Sequence, residues 1–107
     1  MDDAPPPSSD ATDGAASVPA QRDVVICNVR GLHARAAARF VKLSFEFDAE
    51  VMVAKNGTAV SGRSIMGLMM LAAGPGTPLQ LSATGPDAVR AVDALAALVT
   101  GGFDETQ

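Results

Sequence analysis

The sequence contains no tryptophan, no tyrosine, one cysteine and one histidine in 107 residues. Without the largest aromatic side chains, a core must be assembled from aliphatic residues, with four phenylalanines and five methionines to help. A single cysteine permits no internal disulfide, which fits a reducing compartment. One histidine, a cysteine within an apolar strand pattern and no carboxylates at ligand spacing leave nothing that reads as a metal centre. No apolar run approaches the roughly 18 residues that a membrane-spanning helix needs. The opening MDDAPPPSSD is acidic and lacks an apolar stretch, so it does not read as a secretory signal. Basic residues are absent from positions 1–21, where Asp2, Asp3, Asp10 and Asp13 supply four negative charges. That equals the net charge of −4, so positions 22–107 are balanced, with eight acids and eight bases. An acidic chain with no aromatics among its bases is not expected to bind nucleic acid. These exclusions point to a soluble, cytoplasmic domain without membrane insertion. Independently of them, a monomer is expected.

Residues 1–21, rich in Pro, Ser, Ala and Asp, offer little to bury and are expected to form a disordered acidic tail. The folded domain is expected over residues 22–102, with a short C-terminal tail at 103–107. RDVVICNV (22–29) is β-branched and apolar on both faces, which predicts a well-covered strand with Cys27 buried. Gly31 permits a sharp turn, and the pattern from Ala34 to Phe45 predicts a helix burying Ala37, Phe40, Val41 and Ser44. Phe40, Phe45 and Phe47 are expected in the core or at its edge. EVMVAK (50–55) alternates as a strand, Asn56-Gly57 signals a tight hairpin, and TAVSG (58–62) is the return strand. SIMGLMML (64–71) reads as a short helix and LQLSAT (79–84) as a fourth strand. Gly85-Pro86-Asp87 opens a last helix, with Val89, Val92, Leu95, Ala96 and Val99 on one face and Gly101-Gly102 at its end. The order βαββαβα points to an α+β fold, with helices packed on one face of a mostly antiparallel sheet.

His33 precedes the first predicted helix, where unpaired N–H groups and the positive end of the helix dipole favour an anion. A neutral ring nitrogen there is a nucleophile for phosphorus. If His33 sits at the cap, the guanidinium of Arg35 can reach a phosphoryl group on it. Arg30, Arg39 and Lys42 lie within ten residues of His33, either as an anion-facing patch or as a solvated helix face. The plainer alternative is a histidine that caps a helix or fills a turn. One nucleophile and one anion-binding group, with no evident acid–base partner, favour a covalent carrier over a self-contained enzyme.

N-V-R-G-L-H-A-R at 28–35 and S-I-M-G-L-M-M-L at 64–71 resemble the HPr phosphocarrier family of the bacterial phosphoenolpyruvate-dependent phosphotransferase system. The resemblance covers roughly residues 22–100. It implies an open-faced β-sandwich, a four-stranded antiparallel sheet with three helices on one side. It further implies that His33 accepts a phosphoryl group on Nδ1 from phosphorylated enzyme I and passes it to IIA-type proteins. The route serves either sugar transport or nitrogen regulation. Arg35 matches the active-centre arginine that steadies the phosphate. Ala36 stands where the family usually has proline. No organic cofactor or metal is implied.

Ser64 is by local physics a helix N-cap. By resemblance it matches the serine phosphorylated by an HPr kinase/phosphorylase in some bacteria. The helix after it has almost no polar face, so some of its residues belong to the core. Positions matching Ile65, Met66 and Met69 contribute to partner docking in the family, and flexible thioethers suit a surface that meets several partners. A second reading is a regulatory binding module of the same fold, switched at Ser64.

Overall fold

The computed structural model describes residues 19–105. Most of the tail expected over 1–21 therefore lies outside the described residues, as do positions 106 and 107 of the expected C-terminal tail. The elements are β1 (Ala20–Val25), α1 (Ala34–Ser44), β2 (Glu50–Lys55), β3 (Thr58–Ser61), α2 (Ile65–Met70), β4 (Pro78–Thr84) and α3 (Ala88–Thr100). A single turn, Gly102–Asp104, follows α3. The order is βαββαβα, as the sequence pattern predicts.

The four strands form one antiparallel sheet in the order β1-β4-β2-β3. Val24 pairs with Leu79 across β1 and β4, Val53 with Leu81 across β2 and β4, and Lys55 with Thr58 across the β2–β3 hairpin. Asn56 and Gly57 both take positive φ, 50° and 83°, as the two central residues of a tight hairpin turn require.

One face of the sheet is covered. Val24, Ile26, Val51, Val53, Leu79, Leu81 and Ala83 alternate into the core, and α3 packs across β1, β2 and β4. Each Val, Ile or Leu among them contributes about 1.5–3 kcal/mol when fully buried. The other face is open, which corrects the expectation of a strand covered on both sides: Val25 is exposed. Cys27 is exposed too, rather than buried. The strand expected over 22–29 ends at Val25, and Cys27, past that end, lies with its thiol 3.5 Å and 3.4 Å from the Val99 and Thr100 carbonyls at the C-terminus of α3.

α1 buries Ala36, Ala37, Phe40, Val41 and Ser44, an i, i+4, i+8 stripe that includes the expected face. Ala36 is fully buried in its first turn. Phe45, just past the helix, is exposed rather than in the core, with the Arg63 guanidinium 4.7 Å over its ring. In α3 the buried face is Ala88, Ala91, Val92, Leu95, Ala96 and Val99. Val89 points outward, one helical step away from that stripe.

Both ends of the domain reach past the expected limits of 22 and 102. β1 starts at Ala20, paired with Ala83. At the other end, Gly102 takes φ 70°, the left-handed conformation that reverses a chain after a helix. The next residue, Phe103, is thereby folded back and is 0% exposed. Residues 103–105 are part of the packed domain, because an apolar side chain just past a left-handed glycine docks on the helix it follows. Among the described residues, no helix is long and apolar enough to cross a membrane.

Candidate functional site

The site is built on the turn between β1 and α1. Asn28 is fully buried there, its carbonyl accepting the Gly31 N–H at 3.1 Å and its Nδ2 donating to the Gly31 carbonyl at 2.8 Å. Gly31 has φ 65°, and a Cβ on it would lie 2.5 Å from the Ala73 carbonyl oxygen. Only glycine allows this close approach, through which the loop after α2 supports the turn. Leu32 ties the same two segments together, its N–H donating to the Ala73 carbonyl at 2.8 Å.

His33 is the N-cap of α1, in an extended conformation with φ −78° and ψ 179°. Its Nδ1 accepts the backbone N–H of Arg35 at 3.3 Å. The imidazole thus faces the helix's unpaired donors, which is what made this position informative in the sequence. Its side chain is 17% exposed, so the ring is reachable but held. Arg35 is exposed and, with Arg30, Arg39, Asp104 and Glu105, borders a polar depression of about 270 Å³. A second depression of about 210 Å³ runs from Arg30 and His33 to Ala72–Gly74, beyond α2.

A carboxylate that the sequence did not single out completes the arrangement. His33 Nε2 meets Glu105 Oε2, and Glu105 Oε1 accepts from Asn28 Nδ2 at 2.9 Å. The Asn28 hydrogen bond is the main cause, and the His33 bond the next, of a Glu105 carboxyl held below its ordinary range. Glu105 is delivered by Phe103, whose side chain sits in the core and whose carbonyl accepts from Arg39 Nη1 of α1. The expectation that no acid–base group lies near His33 is therefore corrected: a carboxylate 72 residues away in sequence meets its Nε2. The one sequence signal for it was the apolar Phe103 immediately after two glycines.

Ser64 caps α2, its Oγ accepting the Gly67 N–H at 2.9 Å. Of the apolar residues that follow, Leu68 and Leu71 are buried. Ile65, Met66 and Met69 are exposed, Met66 at 73%, and Met70 joins them at 79%. Lys55 Nζ donates to the Leu71 carbonyl at 2.8 Å, placing a cation at the negative end of this short helix. Among the described residues, no three His, Cys, Asp or Glu side chains are placed to share a metal ion.

An open-faced α+β sandwich with a partly exposed histidine at a helix N-terminus, beside a depression bordered by Arg30, Arg35 and Arg39, is the frame of a histidine-bearing carrier domain. The family described as "PTS HPr component phosphorylation site" matches residues 20–101. The chain is 48% identical over 85 residues to the phosphocarrier protein HPr of Cupriavidus necator, an overlap of 79% of this chain and 96% of that protein. It is 46% identical over 85 residues to the phosphocarrier protein NPr of Shewanella violacea, spanning 79% of this chain and 93% of that one. In three dimensions it is similar to a crystal structure of HPr from Thermoanaerobacter tengcongensis. The TM-score is 0.78 and the identity 38%, covering 82% of this chain and 99% of that chain. This protein belongs to the HPr family of the phosphotransferase system.

Proposed function

We propose that this protein is a phosphocarrier that takes a phosphoryl group from phosphorylated enzyme I onto His33 Nδ1 and delivers it to IIA-type proteins. The observation that carries this reading is the position of His33 at the N-cap of α1, with Nδ1 turned to the Arg35 N–H. That bond is long, and breaking it costs little. As Nδ1 attacks phosphorus, the freed N–H groups of the first helical turn become donors to the phosphoryl oxygens. The Arg35 guanidinium, next to the same space, adds a charge-assisted pair. Transfer consists of positioning and charge balance, with the electron pair of the broken P–N bond leaving on the donor nitrogen. A phosphohistidine must also survive until the acceptor arrives. Both Glu105 oxygens are occupied, by Asn28 and His33, so the nearby carboxylate is not free to activate water.

Ile65, Met66 and Met69 form the docking patch in this reading, and Ser64 is the regulatory site of an HPr kinase/phosphorylase. A phosphate on Ser64 keeps the α2 N-terminal donors satisfied and adds negative charge without unfolding the helix. The carrier works as a cytoplasmic monomer, because one face must serve donor and acceptor in turn.

The test is intact mass after incubation with phosphoenolpyruvate, Mg²⁺ and enzyme I, beside a His33→Ala control. One acid-labile, alkali-stable phosphoryl group, absent from the control, is the expected outcome. No added mass, with an enzyme I that phosphorylates itself, overturns the reading.

A further inference from the structure

We propose that Glu105 is a positioning residue for His33, fixing the orientation of the imidazole and keeping its proton on Nε2, so that the lone pair on Nδ1 faces the incoming phosphorus. This inference rests on the carrier reading above.

The neutral imidazole has one N–H and one lone pair, and its partners decide which nitrogen has which. At one edge of the ring, the backbone N–H of Arg35 can only donate, so Nδ1 accepts. At the other edge, the Glu105 carboxylate can only accept, so Nε2 donates. Two contacts of opposite polarity, from two ends of the chain, select the same tautomer. The Nδ1 contact is the weaker of the two, so it is the Glu105 contact at Nε2 that holds the ring's orientation when Nδ1 leaves the Arg35 N–H for phosphorus.

Glu105 is itself held. Asn28, fully buried, spends its two amide hydrogens on the Gly31 carbonyl and on Glu105 Oε1. Gly31 and His33 belong to the same turn, so carboxylate and imidazole are referenced to one piece of backbone. Phe103 in the core and Arg39 on the Phe103 carbonyl fix the segment two residues before Glu105. The carboxyl, held below its ordinary range chiefly by Asn28, stays in its accepting form at neutral pH.

This arrangement suits reversible transfer. On loading, the Nδ1 lone pair forms a bond to phosphorus as the donor's P–N bond breaks, its electron pair staying on the donor nitrogen. Nε2 keeps its proton, and the positive charge that the ring gains lies against Glu105. On delivery, the Nδ1–P bond breaks, the pair returns to Nδ1, and the ring is neutral again. No proton joins or leaves the ring in either direction, so neither step waits for solvent. In metal sites, carboxylates that orient a histidine in this way are worth about 10–100-fold when lost.

The experiment compares wild type, Glu105→Gln and Glu105→Ala, labelled with ¹⁵N at histidine, by ring-detected NMR and by single-turnover phosphorylation from phosphorylated enzyme I. Thermal unfolding of each variant confirms that it is folded. In the wild type, the ring is expected to show a protonated Nε2 with a slowly exchanging, low-field N–H, and an unprotonated Nδ1. In Glu105→Ala that N–H resonance is lost and the transfer rate falls by about 10-fold or more. Glu105→Gln, which keeps an acceptor oxygen but no charge, falls between the two. Rates within twofold of wild type in both variants, or a wild-type ring protonated on Nδ1, overturn the proposal while leaving the carrier reading intact. A wild type that never takes phosphate removes the carrier reading and, with it, this role for Glu105. The spectra, which need no donor, still report whether the two side chains meet.

Discussion

Replacing Phe103 by alanine tests whether the C-terminal turn is a structural latch. Phe103 is fully enclosed, and a buried Phe→Ala change costs about 3–5 kcal/mol where the surroundings cannot move. Here they can move, because the turn is close to the chain end and can detach as a unit. Detachment recovers roughly 1–2 kcal/mol of backbone entropy per released residue. It also relieves Phe103 and Asp104, at φ 57° and 61°, of a left-handed conformation that costs an L-residue about 1–2 kcal/mol. The Arg39 bond to the Phe103 carbonyl, worth about 1.5–3 kcal/mol, and the Glu105 contacts with Asn28 and His33 oppose that release. Release therefore offsets part of the loss, which should fall at the lower end of that range, about 3 kcal/mol. For a domain of this size that is a drop in Tm of roughly 10–20 °C, read by calorimetry. The same variant should lose the contact between His33 and Glu105, seen as loss of the ring N–H resonance. Phe103→Leu, which keeps most of the plug, should cost less than about 1.5 kcal/mol and retain the contact. A Tm within about 3 °C of wild type for Phe103→Ala, or a contact that survives it, would show that the turn is not anchored by this ring.

Three further outcomes follow from particular contacts. The Glu105 carboxyl titrates below its ordinary value of 4.5 in the folded protein. Its stabilisation is therefore present above that value and is lost as pH falls through the lower folded value. Urea unfolding of wild type against Glu105→Gln should show a difference at pH 7 that closes toward pH 3, and a difference that widens on acidification contradicts the assignment. Gly31→Ala places a Cβ 2.5 Å from the Ala73 carbonyl at positive φ, and should destabilise by about 2–4 kcal/mol in the same assay. Ser64→Ala removes the oxygen that accepts the Gly67 N–H and should cost about 0.5–2 kcal/mol, with the His33 ring spectrum unchanged.

The regular elements were legible because their patterns are local. Alternation in 50–55 and 79–84, the Asn56-Gly57 turn and the apolar stripe of α1 each repeat within a few residues, and the structure places them as read. His33 was legible for a related reason, since a cap position is defined by the residues that follow it. The misreadings concern exposure. Val25 sits in an apolar run, yet a sheet covered on one side leaves alternate residues outside, and Cys27 lies past the strand's end beside the last carbonyls of α3. Val89 shares its chemistry with Val92, and only the packing of α3 on the sheet selects between them. Around α2 the apolar pattern predicted both buried and exposed residues without dividing them; the resemblance assigned Ile65, Met66 and Met69 to docking, and these are exposed with Met70, while Leu68 and Leu71 turn inward.

Glu105 marks the boundary between the two kinds of information. The single histidine, its place at a helix start and the basic residues around it are written within ten residues of one another, where chain geometry leaves little freedom. A carboxylate 72 residues from its partner has no local signature. Its encounter with His33 depends on where α3 ends, on Gly102 reversing the chain and on Phe103 finding room in the core. Periodicity and capping are properties of short segments and can be read from them. Which side of a sheet is covered, and which distant side chain meets the imidazole, are decided only when the segments pack together, because those contacts belong to the assembled core.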